Sequence, residues 1–311
     1  MSISIIRTND TWFVLHADGA TRVDTRATTT GELLADESAI EAAVASEGST
    51  LPATPLQTPV TSPCRVVAQM TNYRSHIHDS GMNPETTPLA FFRKTSHSIC
   101  GPTDDIVRPA HVRFLDYEVE IGLVIGTEIP VGTTIDATNL HQYVAGLVVA
   151  NDVSARDLQL PKTQFFESKS YPTFTPLGPR VVLLDADDWS RFGDLRLQLW
   201  VNGEIRQDST VADMLFSPVE ALGALTGFQP LKAGDLLLTG TPGGTALKAP
   251  GKPIELIGAL LPPAMKWKAF FSAQAKNPNY LTEGDVVELH IGTDDGAIDL
   301  GRQRTIVRTL S

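Results

Sequence analysis

With 311 residues, 42% of them hydrophobic and 20% charged, the chain has room for one large domain and one small one, and its composition excludes an intrinsically disordered protein. The formal net charge of −11 comes from 36 acidic and 25 basic residues, the latter scattered, so no basic stripe exists to neutralise phosphates and nucleic acid is excluded as a partner. Cys64 and Cys100 are too few for a disulfide framework or a paired-cysteine zinc site, which points to a reducing compartment.

The chain opens on MSISIIRTNDTWFVLH, where Arg7, Asn9 and Asp10 interrupt the apolar residues, unlike a signal-peptide core. No apolar run approaches membrane-spanning length, so a cytoplasmic protein with no membrane partner is expected. Residues 1–50 hold short strand-like stretches and a predicted helix around 39–45. The following SEGSTLPATPLQTPVTSP, rich in Ser, Thr and Pro, reads as a linker, so residues 1–62 are predicted to form a small N-terminal domain with its linker and 63–311 the main domain. From Cys64 onward, short β-type runs punctuated by Gly and Pro dominate. The absence of alternating long helices argues against a strand-helix barrel and for a β-rich α+β fold.

Between 115 and 126 apolar residues alternate with Asp116, Glu118, Glu120, Gly122, Val124 and Gly126, a period of two that predicts a half-buried strand with both glutamates on one side. Carboxylates so placed repel one another unless one is protonated or a cation neutralises them, while a solvated acidic face is the alternative. An oxygen-only donor set selects a hard ion, Mg²⁺ by default, with Mn²⁺ or Ca²⁺ as substitutes. The apolar run 143–150 predicts a buried strand that ends at Asn151 and leaves Asp152 at its tip. In NYRSHIHDSG, His76 and Asp79 share a face if the segment is helical, which suits a carboxylate-oriented base; a polar surface turn, or paired histidine ligands, are the competing readings. Asn202-Gly203, between 197–201 and 204–206, predicts a tight hairpin. Lys169, before a Pro-rich turn, and the glycine-rich TGTPGG at 239–244 either line a site or merely reverse the chain. No G-x-S-x-G elbow, phosphate loop, dinucleotide fingerprint or H-E-x-x-H is present.

Taken in order, NYRSH, DYEVEIG, NDVSARDLQ, SKSYPTFTPLGP, VNGEIRQDSTVADMLFS, LLTGTPGG and LTEGDVVEL resemble the fumarylacetoacetate hydrolase family of metal-dependent carbon–carbon hydrolases and decarboxylases. The resemblance implies a mixed β-sandwich roll, a homodimer and a Mg²⁺ or Mn²⁺ ion in a cleft of the main domain. It assigns Glu118, Glu120 and Asp152 to the metal, Lys169 to the active site, and His76 with Asp79 to a water-activating dyad, although many members carry Glu where this chain has Asp79. Arg156, Gln159, Gly240 and Thr241 are the expected substrate contacts. The implied reaction is hydrolysis of a carbon–carbon bond in a small diketo acid, the charge left by cleavage being held as an enolate on the cation. Decarboxylation or isomerisation of a 2-oxo dicarboxylic acid in aromatic degradation is the alternative, and a non-catalytic metal-stabilised binding protein a third. The stretch 246–282 is longer than in compact members, and its Leu, Trp and Phe residues predict that it packs against the rest of the chain.

Overall fold

The computed structural model describes residues 2–9, 11–48, 51, 54–163, 165–249 and 262–310. Two sheets form its centre. The larger has ten strands, with the order Gly19–Arg22, Thr11–His16, Ile3–Thr8, Thr175–Leu183, Val144–Asn151, Val119–Ile125, Leu236–Leu238, Val66–Gln69 and Phe91–Lys94, and with Ile99–Cys100 beside Thr175–Leu183. The smaller runs Glu204–Thr210, Leu195–Val201, Val286–Thr293, Asp299–Thr309 and Ile106–Arg108. The central strands of one sheet pack face to face on those of the other. The described helices are short, so the fold is the sheet-rich α+β roll expected, and the described strands close no barrel.

The strand Val144–Asn151 is apolar on both faces because it separates two cores. Leu147 and Val149 join the core between the sheets, whereas Val148 and Ala150 join a second core on the outer side. The same sandwiching corrects the half-buried strand expected over 115–126. All seven residues of Val119–Ile125 are buried, and the strand breaks at Tyr117 and Glu118. Its even positions do not face water: Val124 enters the outer core, and Gly122 is small because a Cβ there would stand 2.7 Å from Val148 Cγ1.

The N-terminal strand Ile3–Thr8 pairs antiparallel with Thr175–Leu183, so the large sheet runs through the boundary expected at residue 62. Trp12, Val14, Val23, Leu33, Ile40 and Ala43 nevertheless form a separate core with Ile5. The helix expected at 39–45 is present as Glu37–Val44, preceded by Thr30–Ala35, whose N-terminus carries a capping box between Thr29 and Glu32. Of the expected linker, 49, 50, 52 and 53 lie outside the described residues. Its end is packed: Val60 is fully buried, and Thr61 and Thr30 each donate a backbone N–H to the other's hydroxyl at 2.8 Å.

The Asn202-Gly203 hairpin forms as expected, with φ of 53° and 81° at its two central residues. In the stretch 246–282, residues 250–261 lie outside the described residues. The remainder carries the helix Pro263–Gln274, from which Phe271 stacks on Phe114 with ring centroids 5.5 Å apart. Both cysteines are free, and no described helix is long and apolar enough to cross a membrane.

Candidate metal centre and active-site cleft

The site lies where several strands of the large sheet end. Val144–Asn151 stops one residue before Asp152, and two contacts lock that end to Glu118: the Asp152 N–H donates to the Glu118 carbonyl at 2.9 Å, and the Glu118 N–H donates to the Asn151 side chain at 3.0 Å. Glu120 sits opposite Ala150 in the adjoining ladder. Register alone therefore gathers Glu118, Glu120 and Asp152, all buried, with one oxygen from each within 4.8 Å of the others.

Three buried cations stand against these acids. Lys169, directly after the short helix Phe165–Ser168, sets its ammonium 2.5 Å from Glu118 Oε2 and 2.5 Å from Asp152 Oδ2. Lys94 pairs with the other Asp152 oxygen and donates to the Phe174 carbonyl at 2.8 Å. Arg156, opening the helix Arg156–Lys162, donates to Asp116 at 2.8 Å, Glu118 at 2.5 Å and Gln159 at 2.8 Å. Asp116 also accepts the N–H groups of Ala246 and Leu247 at 2.8 and 3.0 Å, which ties the start of the long 246–282 stretch to the cluster.

Burial favours the neutral acid at Glu118, but Lys169 and then Arg156 outweigh it and bring the carboxyl down to about 2. At Glu120 burial acts with Asp152 and Glu118 in the same direction, and the carboxyl is pushed well above the usual range. Burial opposes the charges of Lys169 and Arg156, yet their carboxylate partners prevail and raise both above their ordinary values. Lys94 is lowered, burial exceeding the pull of Asp152. Four carboxylates thus face three cations, and burial with the like charges of Asp152 and Glu118 favours the protonated form of Glu120. That is the chemistry a divalent ion fits: an oxygen donor set, buried and one charge short of balance.

A narrow cleft with a cavity volume of about 50 Å³ opens over these groups, lined by Gln69, Met70, Thr71, His76, Phe92, Glu118, Glu120, Arg156, Gln159, Phe165, Lys169, Gly240 and Thr241. His76 is buried on the helix Arg74–Asp79, and burial lowers its pKa, so the ring is neutral at pH 7. The structure does not join it to Asp79. The Asp79 carboxylate accepts the Gly244 N–H at 3.0 Å, and among the described residues His76 Nδ1 has no hydrogen-bond partner. Gly240 donates its N–H to Glu120 at 2.8 Å with φ of 83°, and a Cβ there would lie 2.8 Å from Asn72 Cβ, so only glycine fits. The Thr241 hydroxyl donates to the Val119 carbonyl at 2.9 Å and accepts from Gln207 at 2.8 Å. Arg156 and Thr241, expected as substrate contacts, therefore line the cleft with their polar atoms already engaged in the protein.

Lys94 and Gln69 were missed in the sequence. For Lys94 a signal existed: with a period of two it shares a face with Phe92, and a lysine in phase with an apolar strand residue needs a buried counter-charge.

Comparison with known proteins identifies the family of the chain. The model of the family described as fumarylacetoacetate (FAA) hydrolase C-terminal matches residues 65–308. The rat (Rattus norvegicus) protein named oxaloacetate tautomerase Fahd2a, mitochondrial, is 40% identical over 192 residues, 61% of this chain and 59% of its own length. The match thus spans less than two thirds of that relative. Among solved structures, a probable 2-hydroxyhepta-2,4-diene-1,7-dioate isomerase from Mycobacterium abscessus is 30% identical with a TM-score of 0.75, and the fumarylacetoacetate hydrolase of psychrophilic Exiguobacterium antarcticum is 26% identical with a TM-score of 0.72; each covers 100% of both chains.

Proposed function

The chain belongs to the fumarylacetoacetate hydrolase family, and on that premise we propose that it is a divalent-metal enzyme that forms and reprotonates the enolate of a 2-oxo acid, interconverting its tautomers or double-bond isomers. The observation that carries this reading is the buried triad Glu118, Glu120 and Asp152 with the Lys169 ammonium across two of its oxygens. Mg²⁺ suits the donor set, and when bound it supplies a Lewis acid that polarises the 2-oxo group.

The chain's own residues supply the rest. Lys169, held protonated, directs a positive charge at the oxygen where negative charge develops. His76, neutral at pH 7 and facing the same cleft, is the group able to take a proton from the substrate carbon and return it. Arg156 and Gln159 fix the Glu118 carboxylate in one orientation, and Phe92 and Phe165, in edge contact with centroids 5.3 Å apart, keep one wall of the cleft apolar. The names of the rat and Mycobacterium abscessus relatives, a tautomerase and an isomerase, support the choice of reaction.

Hydrolysis of a small diketo acid is the second reading. What favours it is His76 itself, since a neutral imidazole can equally take a proton from water. Without a carboxylate on His76, that water-activating arrangement is the less complete of the two. The test is product analysis of the Mg²⁺-loaded protein on oxaloacetate and a panel of 2,4-diketo acids. Faster keto–enol exchange of oxaloacetate without carbon–carbon cleavage is the expected result. Cleavage of a diketo acid without exchange would establish the hydrolase, and no turnover on any substrate despite stoichiometric Mg²⁺ would leave a binding protein.

A further inference from the structure

Gln69 closes the strand Val66–Gln69 and lines the same cleft as Met70, Phe92, Phe165 and the charged groups Glu118, Glu120, Arg156 and Lys169. It is 2% exposed, yet among the described residues neither its Oε1 nor its Nε2 has a hydrogen-bond partner. A buried carboxamide with both polar atoms unpaired is costly, because each has lost water and gained nothing. The charged groups around it are not in that state: Lys94, Arg156 and Lys169 are each paired with carboxylates. No cation among the described lining residues is therefore left to meet a second polar group on the substrate, beyond the 2-oxo carboxylate end that the metal triad would take.

We propose that Gln69 is the binding residue for the far end of the substrate, where its Nε2 donates to a carbonyl or carboxylate oxygen, so that the cleft selects 2-oxo acids carrying such a group over those ending in hydrocarbon. The inference rests on the 2-oxo acid reading above. A neutral amide suits this role electrostatically. Once a divalent cation joins the four carboxylates and three cations, the cluster carries one net positive charge, which the substrate's 2-oxo carboxylate cancels; a further fixed cation is not needed, and a dipolar donor is enough.

The test is calorimetric binding of 2-oxoglutarate and 2-oxopentanoate to the Mg²⁺-loaded protein, two acids of one chain length that differ in the far carboxylate. The wild type should prefer 2-oxoglutarate by about tenfold or more, the value of one hydrogen bond to a charged group. Gln69→Leu should abolish that preference while leaving 2-oxopentanoate binding within about threefold, and its thermal midpoint should be unchanged or higher, since an unsatisfied amide has been removed. Gln69→Glu should reverse the preference by placing a carboxylate against a carboxylate. Equal binding of the two acids by the wild type, or a Gln69→Leu variant that weakens both alike, overturns the role of Gln69 and leaves the 2-oxo acid reading standing. If neither acid binds to protein that holds Mg²⁺, both fall.

Discussion

Replacing Lys169 by Met removes a side chain that bridges two of the three triad carboxylates, and its cost can be worked from the site. Pairing lowers Glu118 from 4.5 to about 2 with Lys169 as the first of the pairing causes, a shift worth about 3 kcal/mol. Asp152 loses a partner as well. Arg156 still holds Glu118 and Lys94 still holds Asp152, so the loss should fall at the low end of the range for breaking a buried pair, about 3 kcal/mol. The sign with pH follows from the depressed carboxyl. Its stabilisation is present above the unfolded value near 4.5 and is lost as pH falls towards 2, so the gap between wild type and variant should narrow over that window. Mg²⁺ should narrow the gap at neutral pH too. The ammonium occupies the oxygens a cation would use, and its removal should tighten Mg²⁺ binding by about tenfold, or about 1.4 kcal/mol. Turnover should nonetheless fall by about 10²–10³, the usual loss when a charge-stabilising group is removed. Urea unfolding with and without Mg²⁺, together with calorimetric titration of the metal, measures all of this. An unfolding midpoint unchanged without metal, or a Mg²⁺ affinity that falls in the variant, would refute the reasoning.

Burial and its two neighbours push Glu120 towards its acid form while a cation needs the carboxylate, so Mg²⁺ binding at pH 7 should release up to about one proton and weaken as pH falls. Titrations in buffers of different ionisation enthalpy count that proton, and Glu120→Gln should bind Mg²⁺ more weakly with none released. Asp79→Asn, which keeps an oxygen acceptor for the Gly244 N–H, should change turnover less than about tenfold, whereas His76→Ala should lower it by about 10²–10⁴ with Mg²⁺ affinity intact. Equal losses in the two variants would mean that Asp79 turns to His76 during the reaction.

How far the fold could be read depended on whether a signal was local. The Asn202-Gly203 hairpin, the helix Glu37–Val44 and the apolar strand Val144–Asn151 each announce themselves within a dozen residues, through turn chemistry or periodicity. The pairing of Ile3–Thr8 with Thr175–Leu183 has no such signal, because strand partners are chosen by packing between distant segments. The burial of Val119–Ile125 is hidden from the sequence for a related reason. Polar and small residues at alternate positions look the same from sequence whether they face water or a charged cluster between two cores.

The same limit shaped the reading of the site. Spacing puts Glu118 and Glu120 on one strand and Asp152 at the tip of another, and the structure brings the three together through a register that no short motif encodes. Spacing also puts His76 and Asp79 on one helix, but it cannot show that the Gly244 N–H, 165 residues away from Asp79, takes the carboxylate. Arg156 illustrates the physical rule behind both cases. Read alone, a buried arginine near a metal triad looks like a grip for an anionic substrate; in the folded chain four carboxylates share a site nearly closed to water, and they stay charged only where cations are buried beside them. Those cations are Lys94, Arg156 and Lys169, so the basic residues of the cleft are committed to holding the acids before any ligand arrives. Selectivity among substrates must then come from groups that carry no charge, and the unpaired amide of Gln69 is one such side chain among the described residues of the cleft.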